Sequence, residues 1–417
     1  MPKMTQYEPI TATCAECGNE FVISPMEQRR FKELDFELPK RCQACRQKRK
    51  VARKRREEII QERIAQAQAV QKRDEDERNL TSLLSVVPYK QLPLEDLVIE
   101  NPSKTLFIIG NGFDIVHGVK SSYWDFQKTL GKKSELRFHM ETYLKVEPES
   151  LWCNLEDSLS HINAGVMLDV MDMWLDVFDA YRSDSMADFH CAIDTAMLPI
   201  QVITDQLPKR FQKWVESLTA DGNKPLEKLV LKDVQYLSFN YTDFLEQLYG
   251  VPAGQIKYIH GCRKKVKYQP KDKLVLGHVP NVDYLKDYRP HKAMMPSKRN
   301  GYKRALWEHA IDIGTAQWVT YYEEVFTKHT PEIIKENEAF FNQAAATEAI
   351  IVFGHSLSEV DYPYFKEILK KNSGKAKWYI GYYNADDLKR LLRFVDQMEL
   401  DQDKVFIFRQ VVKGTPT

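Results

Sequence analysis

The sequence predicts an α/β protein with a mainly parallel sheet, preceded by a small metal-bound module. Three observations lead there. From Lys104 onward, short apolar runs alternate with longer helical stretches, the pattern of strands covered by helices. Several runs end in glycine or a polar residue, where a parallel strand would leave its sheet. Ahead of them stand two C-x-x-C pairs. The chain has 417 residues, which suggests about two or three domains. It is 43% hydrophobic and 11% aromatic, enough for a sizeable core and too much for a disordered chain. A net charge of +1 supplies no global field for polyanions. The sequence has no apolar run of membrane-spanning length, and "MPKMTQYEPI" is not a secretory signal, so a cytoplasmic protein without membrane contact is expected. Seven cysteines, an odd count, fit a reducing compartment better than a disulfide framework.

The expected division is a metal module at 1–50, a basic helix and linker at 51–100, and the α/β domain at 101–417. In the first segment, "CAECGNEFVISPMEQRRFKELDFELPKRCQACR", the pairs are Cys14/Cys17 and Cys42/Cys45. Two intervening residues let both thiolates of a pair face one ion. Four thiolates close a tetrahedral shell with no open position, a structural zinc site and not a catalytic one. So short a segment buries little, so zinc would supply most of its folding energy. A redox dithiol is the minor alternative. Gly18 and Phe21 fit a ribbon turn followed by a packing residue. The pattern C-x-x-C-G-x-x-F … P-K-R-C-x-x-C-R resembles a small family of zinc-ribbon domains over about the first fifty residues.

"RQKRKVARKRREEIIQERIAQAQAVQKRDEDER", residues 46–78, has no Gly or Pro and opens almost wholly basic, so a long solvated helix is expected. It reads as a polar connector or coiled-coil arm, or as one cationic face with the ribbon that binds nucleic acid without sequence preference. Pro88, Pro93 and Pro102 then mark the boundary to the main domain. There the strand candidates are "TLFIIG", "VQYLSF", "IKYIHG", "KLVLGH", "AIIVFGH" and "KWYIGY". A mostly helical insertion falls at about residues 127–230. Ligands of open α/β sheets collect at the carboxyl ends of strands. That gathers Gly110-Asn111-Gly112, Asn240, His260-Gly261, Gly277-His278 and Gly354-His355-Ser356.

Singly, each turn says little. Gly110-x-Gly112 lacks the third glycine of a dinucleotide fingerprint, where Ile115 stands. Asp114 opposes a phosphate at a helix start, and suits a ribose hydroxyl or a helix cap instead. His117, His278 and His355 also read as ordinary hydrogen-bonded loop histidines. Taken together, the turns resemble a known family. Gly110-Asn111-Gly112-Phe113-Asp114, Gly118, Tyr123, Asp125-Phe126, Asn240-Tyr241, His260-Gly261 and Gly354-His355-Ser356-Leu357 look like the AbiH family of bacteriophage abortive-infection proteins, over roughly 104–410.

The same residues are similar, more distantly, to the sirtuin core. Gly110, Gly112 and Gly118 keep the spacing of its first turn; Phe239-Asn240-Tyr241 matches its Q-N-I-D turn, His260-Gly261 its H-G, and Gly354-His355-Ser356-Leu357 its G-T-S-L. That resemblance implies a Rossmann-like, sirtuin-like fold with an NAD pocket. Gly110, Asn111, Gly112, Phe113, Asp114, His117, Tyr241, Gly261, Gly354, His355 and Ser356 would contact the nucleotide. Backbone amides around Gly110–Gly112 would meet the pyrophosphate, Asn240 would orient a ribose or water, and His260 would be the general base. Asp114 replaces the sirtuin serine, Gln127 the P-D-F-R arginine, and the four cysteines precede the domain. Hydrolysis of NAD by water is therefore expected in place of protein deacylation. The alternatives are a non-catalytic nucleotide sensor that holds nucleic acid, and a nuclease or other hydrolase acting through the carboxylates Asp114, Glu156 and Asp361. Homo-oligomerisation is left open.

Overall fold

The computed structural model describes residues 8–177, 186–264, 274–278, 318 and 320–410. Two compact units result, Met1–Ser82 and Leu83–Thr417.

In the first unit, β1 (Ile10–Thr13) and β2 (Glu20–Ile23) form an antiparallel hairpin in the register Ile10↔Ile23 to Thr13↔Glu20. Gly18 turns this hairpin at φ +74°, a conformation a Cβ would disfavour, and its amide donates to Cys14 O at 3.0 Å. The helix α1 (Pro25–Glu33) starts on the Ser24 cap, which accepts from the Glu27 amide, with Pro25 in its first turn. The helix α2 (Gln43–Leu84) has 42 residues. At 1.5 Å per residue it is about 63 Å long. It begins earlier and ends later than the basic stretch suggested, since good helix formers continue to Leu84.

The second unit is a seven-stranded sheet of β3 (Lys90–Leu92), β4 (Thr105–Ile109), β5 (Gln235–Ser238), β6 (Ile256–Tyr258), β7 (Ala349–Phe353), β8 (Lys377–Tyr382) and β9 (Val405–Arg409). Its order is β3-β9-β8-β7-β4-β5-β6, and every pairing is parallel. Counted from β4, this is the Rossmann order, with β3 added at the edge beside β9. The chain starts at the centre, runs out to β6, then crosses back to β7, so β4 and β7 flank the switch point. All five residues of β4 are buried, as a central parallel strand requires.

Helix α3 (Asn111–Val116) follows β4. The insertion holds α4 (Tyr123–Leu130), α5 (Glu135–Tyr143), α6 (Pro148–Cys153), α7 (Leu155–Ser158), α8 (Ala164–Val177) and α9 (Met186–Ser217). Its core packs Phe126 against Trp152, Phe211 and Trp214, with ring centroids 5.2 to 6.2 Å apart. Helix α10 (Phe244–Tyr249) follows β5 and ends on the left-handed Gly250. Then come α11 (Thr320–Phe326), α12 (Thr330–Glu336), α13 (Glu338–Gln343), α14 (Tyr362–Asn372) and α15 (Ala385–Gln397).

The strand readings differ from the structure in two ways. "KLVLGH" contributes no sheet strand among its described residues. Leu274–Gly277 is irregular, and His278 makes only an isolated parallel bridge to Thr327. The cause is backbone contact: a Cβ on Gly277 would lie 1.9 Å from Phe326 O, so this segment lies against the end of α11. Conversely, β9 and the short β3, within the proline-marked boundary, are strands that the alternation of apolar runs did not single out.

Candidate functional site

In the first unit, Cys14 directly follows β1, Cys42 directly precedes α2, and Cys45 sits in the first turn of that helix. The four thiol sulfurs of Cys14, Cys17, Cys42 and Cys45 lie within 4.8 Å of one another. A hairpin knuckle and a helix N-terminus thus present four soft ligands to one point, the donor set of structural zinc. The helical second half makes this a treble-clef version of the expected ribbon.

In the second unit, the carboxyl ends of β4, β5, β6 and β7 bring the predicted turns side by side. At the switch point the two glycine turns interlock: the Gly110 amide donates to Phe353 O at 3.1 Å and the Gly112 amide to Gly354 O at 2.8 Å. A Cβ on Gly112 would meet Gly354 Cα at 2.5 Å, and one on Gly354 would meet the Phe113 nitrogen at 2.4 Å. The Phe113 amide donates to Gly110 O. The Gly110 and Gly112 amides, which the resemblance assigns to a pyrophosphate, are therefore engaged within the fold.

Asp114 is buried under these turns and accepts from Asn240 Nδ2 at 2.9 Å and Thr242 Oγ1 at 2.6 Å. Burial pushes its carboxyl up to about 7, against the pull of those two donors. Asp114 thereby positions Asn240. His117 is a core histidine: Nδ1 faces Phe113 O and Nε2 faces Tyr249 Oη, each at 2.6 Å. The Phe113 ring is buried beside it. Asn111 Nδ2 donates to Ser121 O, Gly261 turns the chain at φ +82°, and Ser356 is exposed with its carbonyl on Arg390.

The chemistry concentrates around Asp361, just before α14. His355 Nε2 lies 3.3 Å from Asp361 Oδ2, and His260 Nε2 lies 3.5 Å from Oδ1. His355 Nδ1 accepts the Leu357 amide, which leaves the proton on Nε2, toward Asp361. Lys328 Nζ reaches Asp361 Oδ1 at 3.3 Å and Glu156 Oε2 at 3.1 Å; Tyr241 Oη donates to Glu156 Oε1 at 2.9 Å. The Phe239 ring stands edge-on between the two imidazoles. The cluster is sealed: Lys328 is 0%, His260 2%, Asp361 5% and His355 8% exposed.

Burial has opposite outcomes here. It opposes ionisation of Asp361, but Lys328 and the two histidines outweigh it and hold that carboxyl well below the usual range. Glu156, with fewer donors, is pushed up by burial despite Lys328. Burial and then Lys328 keep His260 neutral, far below the ordinary imidazole value. Lys328 would also be neutralised by burial, yet Asp361 and Glu156 raise it and keep it charged. The result is one carboxylate held as an anion, one whose proton affinity burial raises, and a neutral imidazole. His260 Nε2 and Tyr364 Oη are buried there without a hydrogen bond. Buried orphan atoms of this kind mark a place for a water or a substrate group. A cavity of about 530 Å³, lined by Asp243, Phe244, Arg263 and neighbours, and one of about 380 Å³ beside Asn154 and His161 include none of these residues.

His260, His355 and Asn240 were legible at strand ends, and Glu156 and Asp361 as carboxylates. Lys328 was not anticipated. Its segment reads as an ordinary polar loop, and no local signal announces its burial.

Fold and site define a Rossmann-ordered α/β domain with a buried charged cluster at its carboxyl edge, joined in one chain to a four-cysteine treble clef. The family model for bacteriophage abortive infection AbiH matches residues 106–382, and that for a probable treble clef domain matches residues 9–54. The chain belongs to the AbiH family, and phage abortive-infection defence is the role that membership carries. No curated protein and no solved structure matches the chain. Among the described residues, no helix is long and apolar enough to cross a membrane.

Proposed function

We propose that the domain is an abortive-infection effector that binds NAD at the carboxyl edge of its sheet and hydrolyses the bond between ribose and nicotinamide. The observation that carries the reading is the neutral, buried His260 beside an Asp361 held ionised, with the imidazole Nε2 making no hydrogen bond. A water held there gives its proton to Nε2 while its oxygen attacks the ribose C1′. The C–N bond breaks, and its electron pair leaves with nicotinamide, which is neutral once free. Asp361, held as an anion, stabilises the resulting imidazolium and the positive charge developing on the ribose. Asn240, held by Asp114, orients the ribose or the water. Because the cluster is sealed, a ligand reaches it only when surrounding segments move.

One observation favours a second reading. Cationic nicotinamide leaves without acid help, whereas the raised Glu156 suits protonation of a leaving group. Hydrolysis of another nucleotide, with Glu156 as acid, follows from that. The experiment is nicotinamide and free-base release from NAD and ATP by the purified chain, with and without phage lysate, beside phage protection in cells. His260→Ala is expected to lower NAD turnover by roughly two to four orders of magnitude while the variant, destabilised by the cavity left at so buried a position, still melts above the assay temperature. Full protection by His260→Ala, with flat NAD levels in infected wild-type cells, would sink the NAD reading. Free-base release from ATP alone would favour the second.

A further inference from the structure

The first half of α2 has no role in that chemistry, and its charge calls for an explanation. Of the eleven residues Arg46–Arg56, eight are Lys or Arg and none is acidic. They lie on a continuous helix, so at 1.5 Å per residue they form a cationic rod about 16 Å long. The nearby acids are already matched. Glu16 bridges Arg41 at 3.1 Å and Arg49 at 2.7 Å, and Glu27 pairs with Arg46 at 2.6 Å. Those pairs tie the rod's base to the hairpin and α1, beside the four-cysteine cluster. Beyond them Lys48, Lys50, Arg55 and Arg56 are exposed, and no carboxylate among the described residues pairs with them. At 100° per residue Lys48 and Arg55 point within about 20° of each other, while Arg56 and Lys50 point about 80° and about 160° away from Lys48. A flat surface would meet only one side of such a rod. A groove with charged walls would meet several.

We infer that this segment is a binding site for double-stranded DNA, with α2 lying in the major groove and its cations on the phosphates of both walls. The geometry favours B-form DNA over an RNA duplex. An α-helix is about 10–12 Å across and the B-DNA major groove about 12 Å wide, while the A-form major groove is too narrow for side chains to enter. The residues carry no aromatic for stacking on single strands. Binding is therefore to the backbone and indifferent to sequence.

The test is fluorescence anisotropy of the full chain with labelled 30-base-pair DNA and RNA duplexes between 50 and 200 mM salt. Four phosphate contacts give a log–log salt slope near −3.6, so affinity for DNA is expected to fall on the order of 100-fold across that range. Lys48→Gln/Lys50→Gln/Arg55→Gln/Arg56→Gln, which keeps good helix formers in place, is expected to reduce the slope by about 3 to 4. Lys224→Gln/Lys228→Gln, exposed lysines of the second unit, should leave both affinity and slope unchanged. Zinc content and circular dichroism check that the quadruple variant is folded. Absence of DNA binding at 50 mM salt, an unaltered slope in the quadruple variant, or RNA bound as tightly as DNA would each overturn the inference. None of these outcomes depends on NAD turnover.

Discussion

Removing Lys328 tests how the sealed cluster is held together. Lys328→Met keeps most of the side-chain volume and deletes only the charge. The ammonium is 0% exposed and lies 3.1 Å from Glu156 and 3.3 Å from Asp361. Without it, two carboxyl groups face each other in a medium that solvates neither. Breaking a buried ion pair from one side costs about 3–5 kcal/mol. At about 2 °C per kcal/mol for a unit of this size, the melting temperature is expected to drop by about 6–10 °C near pH 8. The pH dependence follows from the directions of the shifts. In the wild type, Asp361 lies below its unfolded value, so its contribution is present above about pH 4 and is lost only as pH falls through the depressed value. Lys328 lies above its unfolded value and contributes fully throughout the acid and neutral range. In the variant, both carboxyl groups are raised above their unfolded values, so stability is fullest at low pH and is lost as pH rises through them. Glu156 is already raised in the wild type, so the deficit should shrink between pH 8 and pH 5.5 by about 1.4 kcal/mol for each unit by which a group rises beyond its wild-type value within that window. Urea unfolding followed by tryptophan fluorescence at both pH values measures it. Glu156→Gln/Lys328→Met removes one of the two carboxylates as well and should recover part of the loss. A single variant as stable as the wild type at pH 8, or a deficit equal at both pH values, would refute the reasoning.

Two further predictions concern the metal module and the switch point. One zinc per chain is expected, and none after Cys14→Ser/Cys42→Ser, as read by metal analysis; equal content in both would remove the site. Gly354→Ala is expected to cost more than Gly374→Ala in thermal melts. Both glycines have φ near +70°, a strain of about 1–2 kcal/mol for alanine, but only Gly354 also faces a backbone atom, at 2.4 Å, whereas Gly374 faces open space. Equal losses would mean that the two turns separate readily.

The sheet was legible because its central strands are apolar on both faces, as in "TLFIIG" and "AIIVFGH", and end in residues that break the run. Strand β9 was harder to see, since "VFIFR" is short and follows helix α15 after a small polar turn. "KLVLGH" misled for the opposite reason: it has strand composition, but tertiary contact with Phe326 decided its backbone. In the site, residues at strand ends were readable because topology alone carries them to one edge. Lys328 was not, because its burial depends on partners far away in sequence: Glu156, Asp361 and the His278 carbonyl that accepts its amide. His117 shows a related limit. Its place beside the glycine turn suggested a ligand contact, while its two hydrogen bonds place it in the core.

The interlocked glycines also constrain how this chain can change over generations. Gly112 and Gly354 each occupy the space that a side chain on the other would need. A substitution at either position meets the unaltered partner first, and the second change cannot relieve it, because the obstructing atoms are backbone. No ordered pair of single steps leads away from this arrangement without a shift of a whole loop. Among descendants that keep the fold, the two positions should therefore stay fixed together. Where one has drifted, the other turn should carry an insertion or deletion, since only a changed loop length moves its backbone out of the way.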